Sequence, residues 1–229
     1  MHHPATTISA TRLSRADVEE LIAQASGPLI FDGCDLDGAN LSRLELQDAE
    51  FRHCSLLETS FFAASLARSK WQRCRGGQAD FESADMADVL VQGCDFNNST
   101  WRRAKMASAS FSECKLTGAS FEEVGHLGLS FEQSRLVGAD LRRLSFRKAR
   151  LNGLDFQDAD LSGCDFREAV FEDCSMRNAH MVDARFDGAD LRGADISGIT
   201  LDNARRFKGA IISNRQAAEL MLGLGLVVA

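Results

Sequence analysis

The chain has 229 residues, a formal net charge of -7, and a composition that is 45% apolar and 26% charged, with seven cysteines. An apolar fraction near the globular average, with charges of both signs, excludes a disordered chain and a disulfide-stapled miniprotein. The longest uncharged apolar stretch, 220–229, is too short to span a bilayer, and the acidic balance argues against direct nucleic-acid binding.

The first two predicted elements are a tail and a helix. Residues 1–13 lack the apolar core of a secretory signal, so we expect a disordered tail and a cytoplasmic protein. Ser14 and Asp17 form an N-cap pair for a helix over 15–26. The apolar stripe of that helix is Val18, Leu21, Ile22 and Ala25. We interpret 14–28 as a segment that caps the next element; the alternative is a frayed helix with no packing role.

Residues 29–211 repeat with a period of five. Every fifth residue from Phe31 to Ile211, here called a centre residue, is large and apolar at 34 of 37 positions. The exceptions are Gly76, His126 and Arg206. The residue two before each centre is small at 29 of 36 positions and is never charged. Helices have a period of 3.6 and strands a period of 2, so this pattern requires a short strand step followed by a turn.

The spacing of cysteines and glycines predicts the coil. Eleven glycines lie two residues after a centre, where a corner needs a positive φ or a close backbone approach. Five cysteines are spaced by 20 residues, which predicts four pentapeptides per coil: Cys34, Cys54, Cys74, Cys94 and Cys114. Stacked coils lie about 4.8 Å apart. Two columns of side chains would then face inwards and three would face water.

The C-terminal segment, 212–229, predicts a second helix and an apolar tail. Ser213 caps a helix that runs to about Leu222. More apolar surface follows than one coil end can cover, which favours a two-fold homodimer. The predicted dimer interface is Ala217, Leu220, Met221, Leu224, Leu226 and Val228. The alternative is a purely intramolecular cap.

Several pentapeptides resemble a known family. The runs GADLR at 138–142, DADLS at 158–162 and GADLRGADIS at 188–197 are similar to the A(D/N)LXX consensus of the pentapeptide repeat family. The resemblance implies an all-β fold, a right-handed quadrilateral parallel β-helix. At four pentapeptides per coil, the array would have about nine coils.

Catalytic interpretations find little support in the sequence. Every cysteine lies in an inward column of small residues, where a thiol is inert filler, and no cysteines have zinc-ligand spacing. We therefore expect no enzyme activity, no metal and no cofactor. His126 at a centre position is either functional or a tolerated imperfection, and Gly76-Gly77 is interpreted as a local kink.

Charge is distributed unevenly along the repeat. Residues 61–150 carry fourteen basic and ten acidic residues, whereas 151–203 carry twelve acidic and four basic residues, a net -8. Seven acidic residues of this second stretch form the predicted partner-binding site: Asp155, Asp158, Asp160, Asp165, Glu172, Asp173 and Asp190. B-DNA carries one charge per about 1.7 Å, a linear density that this stretch matches at the strand spacing.

The closing segment, with Gln216-Ala217 and Leu220-Met221, is similar to that of the Qnr-type and mycobacterial fluoroquinolone resistance proteins. That resemblance implies a DNA-mimicking dimer that binds DNA gyrase or topoisomerase IV. This chain differs in having an unbroken five-residue frame, without projecting loops, and an additional N-terminal helix. The alternative hypothesis is a generic interaction scaffold that binds another partner through its basic middle: Arg142, Arg143, Arg147, Lys148 and Arg150.

Overall fold

Parallel bridges between residues 20 positions apart build a parallel β-solenoid of about ten turns in this computed structural model. The fold class expected from the sequence is confirmed. The structure describes residues 5–198, 204–223 and 225–227. They fall into two compact units, Met1–Ser134 and Arg135–Ala229.

The first unit holds one sheet and one helix among its described residues. Its elements are β1 (Thr6–Ser9), α1 (Arg15–Gln24), β2 (Leu29–Asp32), β3 (Glu50–Arg52), β4 (Lys70–Gln72), β5 (Leu90–Gln92), β6 (Ser110–Ser112) and β7 (Ser130–Glu132). The strands pair in chain order, all in parallel, so β1 is the outermost strand at one edge of the sheet.

The second unit contains two two-stranded sheets and two helices among its described residues. Its elements are β8 (Arg150–Asn152), β9 (Val170–Glu172), β10 (Cys174–Ser175), β11 (Ala194–Asp195), a 3-10 helix (Ala204–Phe207) and α2 (Asn214–Gly223). β8 pairs with β9, and β10 pairs with β11. Across the described residues of both units, neither helix is long and apolar enough to cross a membrane.

Each complete coil has four sides. In the first unit, β2 to β7 form the first side, and rows of parallel bridges that begin at Asp35, Asn40 and Glu45 form the second, third and fourth sides. On the second side, the Leu36 N–H donates to the Ser55 carbonyl at 2.8 Å, and the Ser55 N–H donates to the Cys34 carbonyl at 2.9 Å. The same bonds recur around the coil and satisfy the strand backbone from layer to layer.

The two predicted inward columns form the core. Among the described centre residues, all are buried except His126, Arg206 and Ile211. Aromatic rings stack one coil apart, as in Phe51 over Trp71, whose ring centroids are 4.0 Å apart. Full burial of such side chains stabilises the fold by about 1.5–3 kcal/mol each. Each coil therefore contributes its own layer of apolar contacts.

The corners have the left-handed backbone that the sequence predicts. Every residue two after a centre, from Gly33 to Gly188, has a φ between +46° and +76°. Many of these residues are not glycine, and each then costs roughly 1–2 kcal/mol of backbone strain. The corner amide compensates by bonding to the next coil, as the Arg43 N–H does to the Phe62 carbonyl at 2.9 Å.

Residues 5–13 are ordered, although the sequence predicts a disordered tail over 1–13, of which 1–4 lie outside the described residues. Thr6–Ser9 forms β1, which pairs in parallel with β2, and Arg12 bridges to Asp35. Without these residues, the first coil would expose an unpaired strand edge at both places. The need to cover that edge explains the order of this segment.

The predicted helix cap is confirmed. The Ser14 and Asp17 side chains form a capping box at the start of α1, and Val18 is fully buried. One guanidinium nitrogen of Arg15 donates to the carbonyls of Asn40 at 2.9 Å and Ser42 at 3.1 Å. The helix thus covers the third side of the first coil and replaces hydrogen bonds that a preceding coil would make.

Gln216 closes the ladder in the second unit. Its buried side-chain amide donates to the carbonyls of Leu191 and Ala194, both at 2.7 Å, and accepts from the Ser213 N–H at 2.7 Å. The Ser213 hydroxyl in turn accepts from the Gln216 N–H at 3.2 Å, which confirms the predicted cap.

Gly76 leaves space for an aromatic ring. The ladder runs unbroken through Gly76-Gly77, with the Gly76 N–H bonded to the Asp95 carbonyl at 2.8 Å, so the backbone is not kinked out of its coil. A Cβ on Gly76 would lie 2.3 Å from the Phe96 ring, whereas a Cβ on Gly77 would meet nothing closer than 3.6 Å. Phe96 fills the volume that a large centre residue occupies in other coils.

We expect Gly76→Ala to lower the free energy of unfolding by about 1–3 kcal/mol, because overpacking forces the enclosed Phe96 ring to move. Gly77→Ala is the matched control and should lie within about 1 kcal/mol of wild type. Urea unfolding curves compare the two variants. Equal stabilities would contradict this explanation of Gly76.

Gln216→Leu should destabilise the chain, because two buried carbonyls lose their donor at a cost of about 1–3 kcal/mol each. Arg215→Leu, on the same helical turn but exposed, should change stability by less than about 1 kcal/mol. Thermal unfolding of both variants tests the role of Gln216. A Gln216→Leu protein as stable as Arg215→Leu would show that the amide is not needed.

Candidate partner-binding surface

The seven acidic residues predicted to bind a partner surround the second unit. Asp155 lies on the second side and Asp158 at its far corner, Asp160 on the third, Asp165 on the fourth, Glu172 and Asp190 on the first, and Asp173 at the corner between the first and second sides. One flat partner surface cannot contact all four sides at once. The predicted set therefore divides into smaller groups.

Four of the seven carboxylates have a basic partner. Asp165 accepts from Arg167 Nε at 2.8 Å, and Asp190 accepts from Arg192 Nε at 2.9 Å, each with a second bond to the same guanidinium. Asp160 lies 3.7 Å from Arg142 Nε. Glu172 bonds to Arg150, in the preceding coil.

Two of these paired carboxylates, Asp165 and Asp190, have lowered pKa values. Hydrogen bonds from the Arg167 side chain lower the pKa of Asp165 below its ordinary value, and hydrogen bonds from Arg192 lower the pKa of Asp190. A bidentate arginine stabilises the ionised carboxylate and occupies its acceptor sites. A partner that binds these two groups must compete with an arginine already in place.

The other three carboxylates, Asp155, Asp158 and Asp173, make no ion pair with any described residue. We call them the open acidic side, because all lie on the second side of the second unit or at its corners. Asp158 and Asp173 are exposed, and Asp155 is half-buried with its carboxylate accepting from the Gln157 N–H at 3.2 Å. Arg135 lies next to Asp155 in the ladder without forming an ion pair to it.

Most side chains of the basic middle form ion pairs with carboxylates. Arg147 and Lys148 both reach Glu168 in the next coil, at 3.2 and 3.5 Å. Arg142 bonds to Asp140 at 2.6 Å as well as approaching Asp160. Segments that are segregated by charge along the chain thus neutralise each other between neighbouring coils.

The residues of the predicted dimer interface are only partly accessible. Ala217, Leu220 and Met221 are half-buried, and Leu226 is 53% exposed. Leu224 and Val228 lie outside the described residues. Two further apolar residues that the predicted interface does not include are exposed, Leu222 at 59% and Val227 at 91%. The sequence signal for both residues is an apolar side chain within or shortly after the predicted C-terminal helix.

The seven thiols are all buried. Burial raises the pKa of Cys164 to about 12 and that of Cys114 to about 11. A thiol protonated at neutral pH is a poor nucleophile. His126 is half-buried, with Nδ1 at 3.2 Å from the Val124 carbonyl, and the described residues contain no cluster of three metal-ligating side chains.

Comparison with known proteins identifies the repeat. A family model described as a pentapeptide repeat region matches residues 29–101 and 94–176, and a model of eight pentapeptide repeats matches 164–203. No curated protein matches the chain.

Solved structures with a similar chain path have low sequence identity. A trypsin-treated M102R variant of QnrB1, a plasmid-mediated fluoroquinolone resistance protein, is 19% identical, with a TM-score of 0.48 over 99% of each chain. HetL, a pentapeptide repeat protein involved in heterocyst differentiation regulation from the cyanobacterium Nostoc sp. strain PCC 7120, is 20% identical, with a TM-score of 0.40 over 85% of this chain and 90% of its own.

Arg167→Gln should raise the pKa of Asp165 towards the ordinary value of 3.8, because the variant loses the charged partner. The pair stabilises the folded chain above the unfolded-state pKa, and this contribution is lost as the pH falls through the lower folded-state pKa. Carboxyl-detected NMR titration measures the shift, with Asp190 as the internal control. An Asp165 pKa that is the same in both proteins would contradict the assigned ion pair.

Proposed function

Because the chain belongs to the pentapeptide repeat family, we propose that it is a non-enzymatic DNA mimic that binds a type II topoisomerase, DNA gyrase or topoisomerase IV. In this proposal, the open acidic side occupies a basic surface on which the enzyme otherwise holds DNA. The outcome for the enzyme is modulation of its activity or protection from inhibitors.

The observation that carries the proposal is the presence of three carboxylates, Asp155, Asp158 and Asp173, without basic partners on one side of a rigid scaffold. The described residues 151–198 contain eleven acidic and four basic residues. The three carboxylates lie in two coils about 4.8 Å apart, and each DNA strand carries one phosphate per about 3.4 Å of helix axis. A basic surface built for phosphates would therefore meet several negative charges within a few ångströms along the solenoid.

The fold reduces the cost of this binding. The backbone that carries Asp155 and Asp173 is held by the coil ladder. On either side of Asp155, the Leu154 carbonyl accepts from the Ser175 N–H at 2.9 Å and the Phe156 N–H donates to the Ser175 carbonyl at 2.8 Å. Preorganised charges lose little conformational entropy when a partner binds. The ion-paired Asp165 and Asp190 contribute to the field but have to exchange an arginine first, so we assign them a smaller part.

The scaffold alternative is less favoured by the geometry. Its candidate contact residues in the basic middle are mostly engaged with carboxylates of the coil that follows, such as Glu168 and Glu172. A partner that binds them would have to displace those contacts. Two similar proteins have different roles, drug resistance for QnrB1 and regulation of heterocyst differentiation for HetL.

We further propose that α2 and the residues after it mediate a homodimer. Leu222, Leu226 and Val227 expose apolar surface beside the half-buried Leu220 and Met221. A two-fold axis would bury this surface against its own copy and would present two open acidic sides to a symmetric enzyme.

The triple variant Asp155→Asn, Asp158→Asn, Asp173→Asn should abolish the effect of the protein on gyrase supercoiling, because it removes the accessible negative charge. The double variant Asp165→Asn, Asp190→Asn removes paired carboxylates and is the matched control, for which we expect most of the effect to remain. Supercoiling assays with and without a gyrase poison compare them. A triple variant as active as wild type would refute the mimicry.

The double variant Leu220→Asp, Met221→Asp should halve the mass measured by sedimentation equilibrium, because buried charge is not tolerated at an apolar interface. Arg215→Ala, exposed on the same helix, is the control and should leave the mass unchanged. A wild-type chain that is already monomeric would rule out the dimer.

A further inference from the structure

The outer edge of β1 has unpaired backbone groups. The Thr6 N–H donates to the Pro28 carbonyl at 3.0 Å, and the Ala10 N–H donates to the Asp32 carbonyl at 2.9 Å. In a parallel ladder, alternate residues bond to the same neighbour, so the N–H and carbonyl groups of Thr7 and Ser9 point to the opposite edge. β1 pairs only with β2 in the sheet, and no described residue bonds to that outer edge.

This edge lacks the usual protection against pairing. Residues 5–11, with the sequence ATTISAT, carry no charge and include four β-branched side chains. Thr6, Thr7 and Ser9 are exposed. Natural sheets block free edges with charges, prolines or bulges, and an edge without them accepts another strand.

The neighbouring helix limits what can reach the edge. α1 lies directly on the first coil, with Val18 fully buried and Arg15 bonded to the third side. A helix is about 10–12 Å across, whereas β1 adds one strand spacing of about 4.8 Å. The outer edge of β1 is therefore recessed beside α1 by about the width of one strand.

We propose that this edge binds one extended, uncharged, β-branched segment of a partner protein, which adds a further parallel or antiparallel strand next to β1. Main-chain hydrogen bonds from Thr7 and Ser9 would give the affinity, as in other cases of strand addition. The recess accepts a single strand more readily than the end of a second solenoid, which carries its own α1. Because residues 5–11 carry no charged side chain, we expect the bound segment to be uncharged as well.

The test uses the acetylated and amidated peptide Ala-Thr-Thr-Ile-Ser-Ala-Thr as the probe, titrated into the full chain labelled with nitrogen-15. We expect saturable shifts at the amides of Thr7 and Ser9. Thr7→Pro removes only an outward N–H, which sheet edges tolerate, and should weaken binding at least tenfold with an unchanged circular dichroism spectrum. Thr6→Ala keeps every backbone group and should bind within twofold of wild type.

Three results would overturn the proposal: no saturable shift, equal binding by Thr7→Pro, or equal binding of both probes of a pair that is N-methylated at the odd-numbered or at the even-numbered amides, since one of the two sets must face β1. A fourth is a fall in the mass of the free chain on Thr7→Pro substitution, which would assign the edge to a second copy. The proposal is independent of topoisomerase binding, since Thr7→Pro should leave the supercoiling effect unchanged.

Discussion

The whole structure depends on the backbone ladder, which pairs residues 20 positions apart through hydrogen bonds that span 19 or 21 positions. Bonds such as Leu36 to Ser55 and Ser55 to Cys34 hold consecutive layers together. They also force one residue in five into a left-handed conformation, which the chain adopts at corners occupied by arginine, aspartate or glutamate as well as by glycine. The hydrogen bonds between coils are numerous enough to offset the backbone strain at the corners.

The same ladder determines which charged side chains lie close enough to form ion pairs. Side chains meet the coil above and below, so the acidic and basic stretches of the sequence become neighbours and neutralise each other, as Arg150 and Glu172 do. What remains for a partner is a small set of carboxylates without an ion pair. The ladder neighbours of Asp158 and Asp173 are small or neutral, such as Gly138 beside Asp158 and Gly153 beside Asp173, whereas Asp155 stacks on Ser175 and on Arg135, with which it does not pair. Net charge along the chain therefore overstates the charge that is available for binding.

The inward columns, the corners and both helix caps could be predicted from the sequence, because each depends on spacing within a few residues. The order of β1 could not, because Ile8 pairs with Phe31 at a separation of 23, and the inserted α1 shifts the segment out of the five-residue frame. The division of the acidic residues also escaped prediction. Asp165 pairs with Arg167 two residues on, as Asp190 does with Arg192, which is a local spacing signal. The partners of Asp160 and Glu172 are arginines of the preceding coil, and these pairs depend on how the coils stack.

The central claim is that position in the coil, and not charge along the chain, selects the carboxylates that meet a partner. Amide hydrogen exchange of the chain with and without DNA gyrase tests this most directly. The account predicts slowed amide exchange at 153–158 and 173–178, the segments that carry or adjoin the open acidic side. It predicts little change at 165–168 and 185–188 on the fourth side. Protection centred on the fourth side, or spread equally over all four, would contradict it.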